Sequence, residues 1–118
     1  MRGLCWRRAL KADIPALCDF LKADEERRVG FSGRLLRDGE LRLPSALRGA
    51  VWLAGGGETE SIAGAVLCHP SRLAFPIFPL GTEGDRDLGL LARYFSPASV
   101  IGMADNVLRY ERIMGLVP

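Results

Sequence analysis

The sequence predicts an α/β fold of the α+β type, with a mixed, mostly antiparallel sheet of about five strands and helices on both faces. Two apolar segments, 51–54 and 62–67, flank a short loop of Gly, Glu, Thr and Ser. They predict an antiparallel hairpin, because so short a loop cannot make a parallel crossover. Segments with helical apolar periodicity lie on either side of it. A chain of 118 residues has room for one core, so we expect a single domain over residues 1–118.

The first elements are a strand and two helices. The strand over 4–10 leads to Asp13, a helix-capping residue type, and Pro15 lies in the first helical turn, where its missing N–H costs nothing. A second helix is predicted over 25–37, and the Asp-Gly pair at 38–39 ends it. The face of the first helix has i, i+3, i+4, i+7 spacing and comprises Ile14, Leu17, Cys18 and Leu21.

The third strand of the sheet, 73–78, contains Pro76. Because proline cannot donate a ladder hydrogen bond, one side of this strand must be unpaired, bulged or splayed. A helix over 85–95 follows, and its packing face comprises Leu88, Leu91, Ala92 and Phe95.

The last elements are a strand over 98–102 and a helix over 104–114. A strand that opens into a helix usually has a further element to return to, so we expect a fold that lacks its final hairpin. One edge of strand 98–102 is then free, and unguarded edges associate with other chains. Pro97 guards only the start of the strand. We therefore expect self-association, most simply as a two-fold homodimer, at that edge or the adjoining face.

Composition and charge argue against several functional classes. Apolar content of 48% and charged content of 25% are those of a globular chain, and no apolar run reaches the roughly 20 residues of a membrane helix. The basic N-terminus has no apolar stretch behind it, so we expect no secretory signal. Three separated cysteines without a CxxC pair favour a cytoplasmic protein. The net charge of +2 comes from scattered arginines without stacking aromatics, so we expect no nucleic-acid binding.

The order strand, helix, helix, three strands, helix, strand, helix resembles the GNAT (N-acetyltransferase) fold up to its fourth helix. The resemblance is carried by residues 8–17, by the pair 51–54 and 61–66, and by 99–102 with 106–108. The last segment is similar to one in the N-terminal, degenerate module of tandem GNAT-type proteins. The resemblance implies a GNAT-like sheet lacking the final hairpin.

GNAT enzymes hold the acetyl-CoA pyrophosphate on a Q/R-x-x-G-x-G/A loop at a helix N-terminus. The resemblance places this loop at residues 80–87 and makes Gly81, Thr82, Gly84 and Arg86 the candidate cofactor-binding residues. The same segment also holds three carboxylates that would repel a pyrophosphate: Glu83, Asp85 and Asp87. We therefore expect no cofactor, and weak or absent binding of acetyl-CoA.

Tyr110 is the candidate catalytic residue, because the resemblance places a general-acid tyrosine near the last helix. Its helical neighbours Val107 and Met114 favour core packing instead. Gly102 followed by Asp105 and Asn106 is consistent with either a small-anion site or a helix cap.

The only histidine, His69, follows Cys68 at a strand end. Neighbouring strand residues point to opposite faces, so the two do not form a nucleophile–base pair. No set of metal ligands surrounds them, and we expect no metal site.

Two main functional interpretations follow. In the first, the chain is a GNAT-like module, non-catalytic on its own, that provides an interface or substrate-side surface to a catalytic GNAT partner or to a second copy. In the second, it is a minimal acetyl-CoA-dependent N-acetyltransferase. A third interpretation is the remnant of a split gene.

Overall fold

The protein contains one five-stranded, mostly antiparallel sheet with helices on both faces, as the sequence predicts. The computed structural model describes residues 6–23, 31, 33, 36–37, 40–41, 50–55, 62–78, 84–93, 95 and 97–115. Within these residues the elements are β1 (Trp6–Arg8), α1 (Ile14–Lys22), β2 (Leu36–Arg37), β3 (Glu40–Leu41), β4 (Ala50–Gly55), β5 (Ile62–His69), β6 (Leu73–Ile77), α2 (Asp85–Leu91), β7 (Ser99–Val100) and α3 (Ala104–Ile113).

The sheet has the order β1-β4-β5-β6-β7, so β5 is its central strand. All neighbours pair antiparallel except β6 and β7, which pair parallel. The predicted hairpin between 51–54 and 62–67 is confirmed, with Val51 opposite Leu67. Its register shifts between Ala54 and Gly55, so that Gly55 is opposite Ile62 and the strand alternation changes at this end.

One face of the sheet packs against α1. Leu17 and Leu21 of α1 are buried against Leu53, Leu67 and Phe75 of three neighbouring strands. The predicted helical spacing is therefore confirmed, and apolar burial of this extent is the main force that holds an amphipathic helix on a sheet.

The opposite face of the sheet packs against α2 and α3. Leu88 of α2 and Tyr110 of α3 are fully buried there with Val66 and Cys68 of β5 and Ala74 of β6. The alternation of β5 thus sends successive side chains to two separate cores, as a strand covered on both faces requires.

A turn of 3₁₀ helix over Lys11–Asp13 precedes α1, and Asp13 occupies the N-cap position of α1, as predicted, but its side chain makes no cap hydrogen bond to that helix. Its carboxylate instead bonds to residues that precede it in the chain: Oδ2 accepts the backbone N–H of Leu10 at 2.7 Å. Both oxygens also accept from the Arg7 guanidinium, at 2.7 and 2.8 Å. Asp13 therefore fixes the chain between β1 and α1.

Three sequence expectations were wrong in part. Residues 36–37, expected to end the second helix, pair with 40–41 as a two-stranded sheet. The Asp-Gly pair between these strands is the strongest two-residue hairpin signal, and it outweighs the propensity of the preceding leucines. Helix α2 ends at Leu91 and not at residue 95, and β7 spans only Ser99–Val100.

The packing of α2 also differs from the expectation at one residue. Leu88 and Ala92 are buried and Phe95 packs against the same core, but Leu91 is 39% exposed. Most of the predicted second helix, and residues 4–5 of the predicted first strand, lie outside the described residues. Of the helices that the structure does describe, none combines the length and apolar character needed to cross a membrane.

Candidate functional site

The parallel strands β6 and β7 separate at their C-terminal ends. The last bond between them joins the Ile101 N–H to the Ala74 carbonyl at 2.8 Å. Pro76, the next residue facing this side of β6, has no N–H to offer. Gly102 has a φ of +148°, a conformation that favours glycine, and a β-carbon there would lie in ordinary contact with the Pro76 carbonyl oxygen, at 3.6 Å. The prediction that one side of this strand is unpaired, bulged or splayed is therefore confirmed, since its pairing with β7 stops at Ala74.

A side chain from α3 occupies the end of β6. The backbone N–H of Phe78 donates to Oδ1 of Asn106 at 3.4 Å. Helix α3 itself begins after Met103 without a side-chain cap, so the helix-cap interpretation of Asn106 was wrong. The amide oxygen instead accepts from the backbone just after β6, beyond the two residues of β6 that pair with β7.

The N-terminus of α2 is acidic. Gly84 precedes it with a φ of +84°, a conformation that favours glycine, and Asp85 and Asp87 lie in the first turn. Arg86 is exposed on α2. Gly81 and Thr82, the other two candidate cofactor-binding residues, lie outside the described residues, as does Glu83.

Asp85 is paired with Arg109 of α3. The guanidinium donates to both carboxylate oxygens, at 2.7 Å from Nη2 and 3.2 Å from Nε. Its Cζ also lies 4.5 Å from the centre of the Phe78 ring, a cation–π contact. Both partners are only about a fifth exposed, 20% for Arg109 and 22% for Asp85. This ion pair links α2 to α3 beside the point where β6 ends.

Tyr110, the candidate catalytic residue, lies in the core beneath α3. Its side chain is 0% exposed, and its hydroxyl lacks a hydrogen-bond partner among the described residues. The Cys68 thiol lies beside it, in a geometry that falls short of a hydrogen bond. Burial raises the pKa of the Tyr110 hydroxyl far above its ordinary value, and the nearby thiol raises it further.

The surroundings of Tyr110 are apolar and closed. Trp6 is buried, its indole N–H has no hydrogen-bond partner within the described part of the chain, and its ring meets Phe78 edge-on at 5.9 Å. Burial raises the pKa of Cys68 to about 12, although contacts with Tyr110 and Trp52 oppose this. A general acid must reach the proton that it transfers, and the Tyr110 side chain is fully buried among the described residues.

His69 braces the turn between β5 and β6. Its Nδ1 accepts the Ser71 N–H at 3.1 Å and lies 2.6 Å from the Ser71 hydroxyl oxygen. Cys68 faces the opposite core, as the strand alternation predicts. In the part of the chain that the structure describes, no three His, Cys, Asp or Glu side chains come together as metal ligands.

Two residues that shape this region, Arg109 and Trp6, were missed from the sequence, and a third, Asn106, was assigned a different role. Arg109 and Asn106 contact residues 24 and 28 positions away, and Trp6 reaches the Tyr110 core from the first strand. From the sequence alone, Arg109 and Asn106 are a basic residue and an amide on the last helix, and Trp6 is an aromatic residue in the first strand. None of these identifies a partner until the order of the strands is known.

Comparisons of the chain with protein-family models, with curated proteins and with solved structures found no match.

Proposed function

We propose that this protein is a GNAT-like, acetyltransferase-related domain that is non-catalytic on its own and acts in the cytoplasm as an interface or substrate-side module. Its partner is a catalytic GNAT chain or a second copy of itself. The order of elements supports the GNAT-like part of this proposal. The closed surroundings of Tyr110 support the non-catalytic part.

The burial of Tyr110 carries the proposal. A tyrosine that donates a proton to a leaving group needs access to substrate, whereas this hydroxyl has no exposed surface. Its raised pKa opposes ionisation but does not help it reach a substrate. Tyr110 therefore acts as a packing residue, and the described residues offer no replacement for it next to the separation of β6 and β7.

The acidic residues at the start of α2 support the proposal that acetyl-CoA binds weakly or not at all. A pyrophosphate placed at this N-terminus would meet the carboxylates of Asp85 and Asp87. Arg109 neutralises the first of these, and Asp87 is exposed. The helix dipole is thus already complemented by the protein's own acids.

A minimal acetyl-CoA-dependent N-acetyltransferase is the second candidate function, favoured by one observation. Parallel strands that separate at their C-terminal ends form the crevice in which open α/β sheets bind ligands, and β6 and β7 separate at these ends.

Calorimetry and thermal shift with acetyl-CoA and CoA distinguish the two functions. We expect no heat and no shift for the wild-type chain. A bound ligand at 100 times its Kd would raise the free energy of unfolding by about 2.7 kcal/mol, which a thermal-shift assay detects. Micromolar affinity would overturn the non-catalytic proposal in favour of the enzyme.

Charge variants test the cause of the weak binding. Replacing Glu83, Asp85 and Asp87 by Gly, Ser and Lys should improve acetyl-CoA binding if the acids are the obstacle. Because Asp85 also holds Arg109, the variant Glu83→Gly/Asp87→Lys is the matched control that keeps the link between α2 and α3. Tyr110→Phe removes the hydroxyl and keeps the ring, so it should change neither binding nor fold.

A further inference from the structure

The outer side of α3 carries a stripe of charged and apolar side chains. Asp105, Leu108, Arg109 and Arg112 recur at helical spacing and line a groove of about 440 Å³ beside α2. Leu108 lies near the middle of the stripe and is 52% exposed. The helix therefore presents an apolar centre between charged ends.

Among the described residues, most large exposed apolar side chains come from the C-terminal third of the chain. Six large apolar residues in the described part of the chain are more than a third exposed. One of them is Leu10, and the remaining five fall between residues 90 and 108: Leu90, Leu91, Ile101, Met103 and Leu108. Of these five, Leu108 lines the α3 groove, with the charged side chains of Asp105 and Arg112 beside it.

The charges of the stripe are complementary under a two-fold rotation. Asp105 lies three residues before Leu108, and Arg112 lies four residues after it, so the two charges flank the leucine by about one turn each. If two α3 helices pack antiparallel with the axis at Leu108, Asp105 of each copy faces Arg112 of the other. Arg109 takes no part in this pairing, because Asp85 and Phe78 hold it.

We propose that a second copy of this chain docks antiparallel on the α3 stripe, with Leu108 against Leu108 and two reciprocal Asp105–Arg112 pairs. A two-fold interface must be self-complementary, and this stripe satisfies that requirement in both charge and apolar placement. A parallel arrangement would set like charges against each other. The inference rests on the proposed function only in that the domain works through an interface.

Substitutions in the α3 stripe test self-association more cleanly than substitutions at the edge of β7. Val100 of β7 packs partly into the core formed with α2 and α3, so a charge at Val100 would disturb the fold as well as any edge pairing. Leu108, Asp105 and Arg112 are exposed in the single chain.

Sedimentation equilibrium from low micromolar to several hundred micromolar tests the proposal. We expect a monomer–dimer equilibrium whose Kd rises roughly tenfold or more in Leu108→Glu, and likewise in Asp105→Arg and in Arg112→Asp, where like charges meet. Mixing the last two variants should restore association as a heterodimer. The double variant Asp105→Arg/Arg112→Asp should dimerise like the wild type. Asp19→Arg is the matched control on the exposed side of α1.

Several outcomes would overturn this interface. These are a wild-type monomer at every concentration, a dimer insensitive to Leu108→Glu, or charge variants that do not recover on mixing. The recovery also guards against misfolding, since an unfolded variant cannot regain its partner. Acetyl-CoA titrated into the same samples separates the two proposals: binding would overturn the non-catalytic function and leave the dimer measurement standing.

Discussion

Asp13 shows how one side chain can fix a chain junction. Its carboxylate accepts hydrogen bonds from the Arg7 guanidinium and the Leu10 N–H. These bonds tie the 3₁₀ turn before α1 to the residues that precede it. The Arg7 hydrogen bonds lower the pKa of Asp13, with the Leu10 N–H adding to the effect and partial burial opposing it. The ionised form is therefore the one that stabilises the fold.

The pH dependence of stability follows from that shift. A carboxyl whose pKa is lower in the folded than in the unfolded chain stabilises the fold above its unfolded pKa, near 3.9. That contribution is lost as the pH falls through the folded pKa. Asp13→Asn should lower the free energy of unfolding by about 1 kcal/mol at pH 7, because the pair is partly exposed. Urea unfolding at pH 7 and below pH 3 checks this.

The difference in free energy of unfolding between Asp13→Asn and the wild type should disappear below pH 3. The matched control is Asp19→Asn, which changes an exposed acid on α1 and should have an effect within about 0.5 kcal/mol. An Asp13→Asn penalty that persisted unchanged at low pH would show that the carboxylate charge is not its source.

At the scale of elements, two leucines one helical turn apart in α2, Leu88 and Leu91, differ in how deeply they are buried. Leu88 is 0% exposed and Leu91 is 39% exposed, although the sequence placed both on one packing face. Leu88→Ala should lower the free energy of unfolding by about 2–5 kcal/mol through lost burial and a cavity. Leu91→Ala should cost less than about 1 kcal/mol. Urea unfolding of the two variants measures the difference, and equal losses would contradict the observed orientation of α2.

How far the sequence predicted each element depended on how local its signal was. The hairpin of β4 and β5 and the face of α1 were predicted correctly, because turn residues and apolar spacing lie within the segments themselves. Residues 36–37 were assigned to a helix because leucines favour one, and the Asp-Gly pair after them was taken as a helix end. The same pair is also a hairpin turn signal, and only pairing with 40–41 distinguishes the two.

The candidate site was less predictable, because its geometry depends on contacts between distant segments. The sequence placed Tyr110 on the last helix and favoured core packing, which the structure bears out by burying it against β5. Nothing in the sequence indicated that Asp85, at the start of α2, forms an ion pair with Arg109 of α3. That pairing requires α2 and α3 to lie side by side, which follows only from the parallel placement of β7 next to β6.

Over the whole molecule, the sheet joins two cores that share no helix. Central strand β5 sends Ala65 and Leu67 to the α1 side and Val66 and Cys68 to the side of α2 and α3. Neither face can lose its packing without exposing the backbone of the same strand. The two cores should therefore unfold as one cooperative unit.

The tryptophans make this cooperativity measurable. Trp6 and Trp52 both pack on the side of α2 and α3, so tryptophan fluorescence reports on that side alone. Leu17→Ala removes a fully buried side chain from the opposite core and should lower the free energy of unfolding by about 2–5 kcal/mol. We expect the urea midpoints from fluorescence and from far-ultraviolet circular dichroism to fall together. If the fluorescence midpoint stayed at its wild-type value while the dichroism midpoint fell, the two sides of the sheet would be independent, and the single-domain prediction for this chain would be wrong.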